Sequence, residues 1–168
     1  MGMYSRMEYE SPSEHIVDWK VFAAWVETEG SIDATITFKL HEPTGKYWVT
    51  VVRAVLIGQG EKPPLAALQS FLGANGIYSY LRLIRASKTA LGKKPYWRLE
   101  VHRMEDIDRI IENIRSSLLT EKARNQVKFY LHVRHMTSDE LRAQFLQGWL
   151  QARKDKKRRG RKGSPHVY

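Results

Sequence analysis

Cysteine is absent from the 168 residues. That absence excludes a disulfide framework, thiolate catalysis and any cysteine-ligated zinc. The six histidines are scattered, and none falls into a metal-binding spacing such as H-E-x-x-H. No apolar run is long enough to span a membrane, and the first residues lack a charged-then-apolar signal pattern. A soluble intracellular protein is therefore expected, in the cytoplasm of a prokaryote or in an organelle, neither secreted nor bound to a membrane. Acidic residues are the minority, 18 against 28 Lys and Arg, for a formal net charge of +10. Such a balance implies a polyanionic partner, because each phosphate neutralised releases condensed counterions. The run from Arg153 to Lys162 holds much of the excess, yet the rest of the chain stays mildly basic. Nucleic acid is thus the expected partner, and charge alone does not separate DNA from RNA.

The length suits one α+β domain. Residues 1–10 are polar, without periodicity, and read as a flexible N-terminus; residues 11–152 form the domain; residues 153–168 read as a basic tail. Ser11-Pro12-Ser13-Glu14 has the pattern of a capping box, which predicts a first helix running from there through Val26. Its second half is apolar nearly all round, so it needs burial on more than one side. After Gly30 the period changes from helical to two. Ile32 to Leu40 and Tyr47 to Ile57 read as a strand pair around the turn at 41–45, and Lys62 to Leu72 as a helix. A second pair, Ile77 to Ala86 and Tyr96 to His102, precedes helices over 105–116, 120–133 and 138–152. Four strands with helices on one face make a two-layer architecture.

The other face of that sheet carries the polar alternates. From the first hairpin these are Asp33, Thr35, Thr37, Lys39, Lys46, Trp48 and Thr50; from the second, Tyr80, Arg82, Tyr96 and Arg98. A two-stranded ribbon fits the DNA major groove, where Arg, Lys and Thr can read base edges. Val52, Ala54 and Leu56 continue the register of Thr50 but are apolar. Either a bulge shifts the register and places Arg53 outward, or that end meets DNA by methyl packing.

The stretch Phe22-Ala23-Ala24-Trp25-Val26-Glu27-Thr28-Glu29-Gly30 is an apolar, small-residue helix that ends in two acids and a glycine suited to a helix C-cap. Carboxylates are disfavoured at a helix C-terminus, which carries partial negative charge. Two of them there suggest a metal or a reaction that needs them. The nine residues resemble the LAGLIDADG signature of homing endonucleases and their maturase relatives, and the helix, hairpin, helix, hairpin, helix order from Ser11 to Arg134 is similar to that family's. The resemblance implies a four-stranded antiparallel saddle-like sheet with helices on one face, αββαββα plus extra C-terminal helices.

It also implies roles. Two motif helices would meet at a twofold axis through Phe22, Ala23, Ala24, Val26 and Glu27, with Ala23 and Ala24 permitting close approach. Glu29 would bind Mg²⁺ or Mn²⁺, and Glu27 and Gly30 would support the motif. Gln59 matches a polar residue that positions water near the nucleophile. Lys122 matches a basic residue that stabilises transition-state charge, with Arg124 as its substitute. A second stretch, Phe145 to Lys154, looks like a decayed copy with Arg153 where the acid belongs, and reads equally as an ordinary amphipathic helix. One acid per chain against two strands to cut implies a homodimer. The implied function is an intron-encoded, metal-dependent, site-specific endonuclease cutting both strands of a long pseudo-palindromic double-stranded DNA target. The alternative is an RNA maturase, with intron RNA as partner, or a non-cleaving DNA-binding protein on the same scaffold.

Overall fold

The computed structural model describes residues 16–85 and 94–162. In chain order these form α1 (Trp19–Glu29), β1 (Gly30–His41), β2 (Lys46–Gln59), α2 (Lys62–Ala74), β3 (Tyr80–Ile84), β4 (Tyr96–Val101), α3 (Met104–Ile114), α4 (Glu121–Val133) and α5 (Ser138–Lys162). The strands make one antiparallel sheet in the order β1-β2-β4-β3, so β2 and β4 are central and each hairpin contributes one edge.

Helix α1 starts later than its sequence suggests. Ile16 to Asp18 are not helical, and the Asp18 carboxylate caps the helix by accepting from Val21 N at 2.8 Å. A capping acid directly before the apolar run satisfies one of the orphan N–H groups of the first turn; the Ser11–Glu14 pattern itself lies outside the described residues, as do residues 1–10. At the other end the chain turns straight from helix into strand. Gly30 is extended, with φ −135°, and is therefore not the left-handed cap expected of it. Its requirement is space. A Cβ there would meet Leu56 O at 2.6 Å and Val26 Cα at 3.1 Å, both backbone atoms that cannot swing away. Gly30→Ala is expected to destabilise the fold by about 1–3 kcal/mol. Each kcal/mol should lower the melting temperature by roughly 2–4 °C, and an unchanged melting curve would contradict the close packing.

Alternation along the strands sends one set of side chains under the helices. Ile32 and Phe38 of β1, Val55 and Ile57 of β2, and Leu99 and Val101 of β4 are buried there. They pack with Phe22, Ala23 and Val26 of α1, Leu65, Leu68 and Leu72 of α2, Ile107, Ile110, Ile111 and Ile114 of α3, and Val127 and Tyr130 of α4. At about 25 cal/mol per Å² of apolar surface, this single core is the main stabilising term. The exposed edge of β1 is covered by α4, whose Gln126 Oε1 accepts from Ile32 N at 3.0 Å.

Two boundaries differ from the sequence reading. Strand β3 covers Tyr80–Ile84 only, Ile77 being buried in the core before it, and Ala86 and most of the 87–94 connection lie outside the described residues. The helix expected to stop at Ala152 continues as α5 through the basic run to Lys162, so residues 153–162 are helix; residues 163–168 lie outside the description. Its first half packs Phe145 on Phe129 and Trp149 on Phe38, an ordinary amphipathic contact with the sheet's helical side. Arg153 stacks over the Trp149 ring, 4.6 Å from its centroid.

Candidate active site

The two acids at the end of α1 have different environments. Glu27 turns inward along the chain. Its Oε1 accepts from Leu119 N at 2.5 Å, Thr120 N at 2.7 Å and Thr120 Oγ1 at 3.1 Å. Thr120 caps α4, so Glu27 sits at the N-terminus of a second helix, where a carboxylate is favoured. That placement resolves the unfavourable position it has at the end of its own helix. The Thr120 backbone bond is the largest influence on its carboxyl; with the Leu119 bond it outweighs the opposing effect of burial and holds the group below its ordinary 4.5. Glu27 therefore ties α1 to α4 within one chain.

Glu29 is exposed at the last position of α1. The ion pairs among the described residues lie elsewhere. Gly30 pairs with Ile57, and β2 continues two residues further to Gln59, so Glu29 and Gln59 lie at the same end of the sheet. The Gln59 side chain folds back, its Oε1 accepting from Gly60 N at 2.7 Å. Lys122 is exposed in the first turn of α4, two residues beyond the Thr120 that Glu27 holds. Glu29 and Gln59 thus share one end of the sheet, at the α1–β1 joint and the end of β2, and Lys122 follows the start of α4 that Glu27 docks. Arg124 is committed to local structure, donating from Nη2 to Leu119 O at 2.6 Å.

Three of the five residues expected at a twofold contact belong to the chain's own core: Phe22, Ala23 and Val26 are at most 1% exposed. An apolar pattern all round predicts a helix facing both a core and a partner, and the sheet with α3 and α4 claims more of it than the pattern indicates. Ala24 remains exposed, flanked on the same side by Val21 and Thr28. Beside it Val21, Trp25, Pro63, Pro64 and Ala67 line an apolar groove between α1 and α2.

The outer sheet face follows the expected alternation with one correction. Pairing of β1 and β2 is unbroken, with Thr37 opposite Thr50, Thr35 opposite Val52, Asp33 opposite Ala54 and Ala34 opposite Arg53. No bulge intervenes, so Val52 faces out and is 53% exposed. Arg53 instead shares the helix-packed side with Ala34 and Val55, and its Nε is buried. It is removed from the outward set. Asp33, Thr35, Thr37, Lys39, Lys46, Trp48 and Thr50 share that outward face with Tyr80, Arg82, Tyr96 and Arg98 of the second hairpin, joined through Gly58 opposite Arg98.

The sequence reading missed Glu100. It lies on this outward face, opposite Tyr80 and Leu56, yet is only 2% exposed. Its oxygens accept from Arg82, Arg98 and His102. Burial pushes its carboxyl up, but these bonds and the Arg98 charge outweigh burial and hold it below 4.5. The period-two parity that marked Tyr96 and Arg98 points equally to residue 100; its charge sign set it apart from a basic surface.

A third carboxyl behaves alike. Burial raises the Asp108 carboxyl, but bonds from Arg134 and Tyr130 dominate and hold it below its ordinary 3.8. A carboxyl depressed in the folded state adds stability that is present above its unfolded value and is lost as pH falls through the folded one. With Glu27, Glu100 and Asp108 all depressed, the unfolding free energy should fall as pH drops below about 4.5. Denaturant titration between pH 7 and pH 2 checks this. Stability that stays flat or rises on acidification would contradict these pairings.

No group of three or more His, Asp or Glu residues among the described residues is placed to hold a metal ion. No helix among them is long and apolar enough to cross a membrane. No protein-family model matches the sequence, and no curated protein matches it. Solved structures do match by shape. The homing endonuclease I-TnaI superposes with a TM-score of 0.50 at 18% identity, over 68% of this chain and 70% of its own. The archaeal intron-encoded homing endonuclease I-Vdi141I, complexed with DNA, gives 0.54 at 15% identity over 89% and 86%. The LAGLIDADG meganuclease I-CpaMI, bound to uncleaved DNA, gives 0.51 at 18% identity, over 75% of this chain but 42% of its own. This chain has the fold of the LAGLIDADG homing endonucleases, and it spans less than half of I-CpaMI.

Proposed function

We propose, from the LAGLIDADG homing-endonuclease fold and from the free acid it presents, that this chain is a homodimeric, metal-dependent, site-specific double-strand DNA endonuclease. The observation that carries the proposal is the division of labour at the end of α1. Glu27 Oε1 is held by the chain's own backbone, whereas Glu29, two residues on, is exposed at the same end of the sheet as Gln59. A carboxylate at the negative end of a helix, with no ion pair among the described residues, suits a hard divalent cation that takes oxygen ligands.

Glu29 would hold Mg²⁺ or Mn²⁺, with the α1 C-terminal carbonyls as further oxygen donors. When bound, such an ion acidifies water and offsets charge on the attacking and leaving oxygens of a phosphodiester. The chain's own residues do the rest. Lys122 places positive charge near the reacting phosphate, and preorganised charge of this kind stabilises the transition state without reorganisation. Gln59, released from Gly60, has an amide able to orient a water. The outward sheet face lies along the major groove, with Lys39 and Lys46 toward phosphate and Thr35, Thr37 and Thr50 toward base edges. The basic end of α5, exposed from Arg153 to Gly160, adds phosphate contacts and a steep salt dependence.

One chain offers one such acid, and two strands require two. A second copy packed through the Ala24 side of α1 would bring two Glu29 residues to one axis, and twofold symmetry would make the target pseudo-palindromic. The discriminating experiment compares duplex binding in EDTA with cleavage in Mg²⁺. Binding in EDTA together with double-strand cleavage in Mg²⁺ is expected. Binding without metal-dependent cleavage would reassign the chain to a DNA-binding or maturase role.

A further inference from the structure

The second hairpin holds a carboxylate that the cleavage chemistry does not use. Arg82 of β3 and Arg98 of β4 stand directly opposite each other on the outward face. Two like charges in that relation repel. Glu100, one position along the same face, lies between them. Its Oε1 accepts from Arg98 Nε at 2.5 Å and from Arg82 Nη2 at 2.9 Å, and Arg82 Nη2 is also 2.9 Å from Oε2. Arg98 Nη2 closes on Oε1 as well, and His102 Nε2 stands 3.1 Å from Oε2. The carboxylate is 3% exposed and fully engaged, so it is not itself a contact for a ligand.

The two arginines are held unequally. Arg98 gives both Nε and Nη2 to Glu100 and is 26% exposed. Arg82 gives Nη2 alone and is 58% exposed. A guanidinium has five N–H donors in a planar fork, so Arg82 keeps most of its fork available on the outward face. A surface meant only to attract phosphate gains nothing from a buried acid, which subtracts charge. An acid that pins a planar fork gains geometry: the side chain is ordered before binding, and the complex no longer bears that ordering cost. Planar, bidentate recognition is what a fixed guanidinium is suited to, and in the major groove its match is the O6 and N7 edge of guanine.

Building on the DNA-binding reading above, we infer that Glu100 is a positioning residue that fixes the Arg82 guanidinium for bidentate recognition of a guanine, with Arg98 as its brace. The test is selection of bound sequences from a randomised duplex library in EDTA, using the full chain and its Glu100→Gln, Arg82→Lys and Arg98→Lys variants, with melting temperatures alongside. The wild type should enrich a motif with guanine at one symmetry-related pair of positions. Glu100→Gln and Arg82→Lys should both lose that preference, by roughly 5- to 150-fold, while other positions keep theirs. Affinity for non-specific duplex should not fall in Glu100→Gln, which removes a negative charge. Arg98→Lys should weaken the same preference and carries the test if Glu100→Gln does not fold. Retention of the guanine preference in the Glu100 and Arg98 variants overturns the assignment. So does a uniform loss at every position with a lowered melting temperature, which would make Glu100 purely structural. A wild type that enriches no motif overturns the site-specific DNA reading itself, and this assignment with it.

Discussion

Glu29→Gln is expected to reduce Mg²⁺-dependent cleavage by on the order of 10³-fold or more, the loss of several kcal/mol of charge stabilisation, with duplex affinity and melting temperature unchanged. The substitution is isosteric, and Glu29 is exposed with no ion pair among the described residues, so the fold has nothing to lose by it. Removing a negative charge beside the phosphates does not weaken attraction to DNA. Glu27→Gln provides the contrast. Its carboxylate accepts two backbone N–H groups and a hydroxyl at the start of α4, so neutralising it should lower stability first and activity as a consequence. A cleavage assay paired with gel-shift titration and thermal melting separates the two. Loss of binding and stability in Glu29→Gln would make that residue structural; undiminished cleavage would remove it from the metal site.

Ala24→Leu is expected to convert the proposed dimer into a monomer of 19.6 kDa and to abolish the proposed double-strand cleavage. Ala24 is exposed on α1 while Phe22, Ala23 and Val26 on its other sides are buried in the chain's own core. Leu is a good helix former, so the isolated chain should fold as before. Between two α1 helices, however, the added bulk is paid twice, once per copy. Overpacking of about 1–3 kcal/mol at each gives roughly 30- to 10⁴-fold in the dimer dissociation constant. Light scattering across a concentration series measures it. An unchanged mass would move the interface away from Ala24, and the apolar groove of Val21, Trp25, Pro63 and Pro64 would then be the next surface to alter.

The fold was legible where periodicity changes sharply. The switch from helical to alternating pattern at Gly30, the turn at 41–45 and the apolar faces of α3 and α4 place nearly every element within a few residues. The resemblance in Phe22–Gly30 points to Glu29, Gln59 and Lys122; the register places Glu29 and Gln59 at one end of the sheet, and Lys122 lies two residues after the Thr120 that Glu27 holds. What escaped depends on tertiary partners. Apolarity around α1 does not say which side meets the chain's own core, and Phe22, Ala23 and Val26 prove to lie in it. The side on which Arg53 falls depends on whether a bulge interrupts β2, which composition does not decide. Like charges at i and i+4 argue against helix beyond Ala152, yet α5 continues through them. Glu100 was overlooked because an acid among cations reads as a flaw in a basic surface until its three partners are seen. The bonds of Glu27 to Leu119 and Thr120 are not legible in the sequence, because those partners lie more than ninety residues away.

In the proposed endonuclease, two Glu29 carboxylates act together on one DNA duplex. Their joint action is tested most directly by incubating the protein with Mg²⁺ and a plasmid library of randomised inserts, then sequencing the ends produced. Cleavage of both strands at a fixed point within one pseudo-palindromic motif, absent in EDTA and absent with Glu29→Gln, is the expected result. Intact plasmid in Mg²⁺, or ends scattered without sequence preference and unaffected by Glu29→Gln, would contradict it.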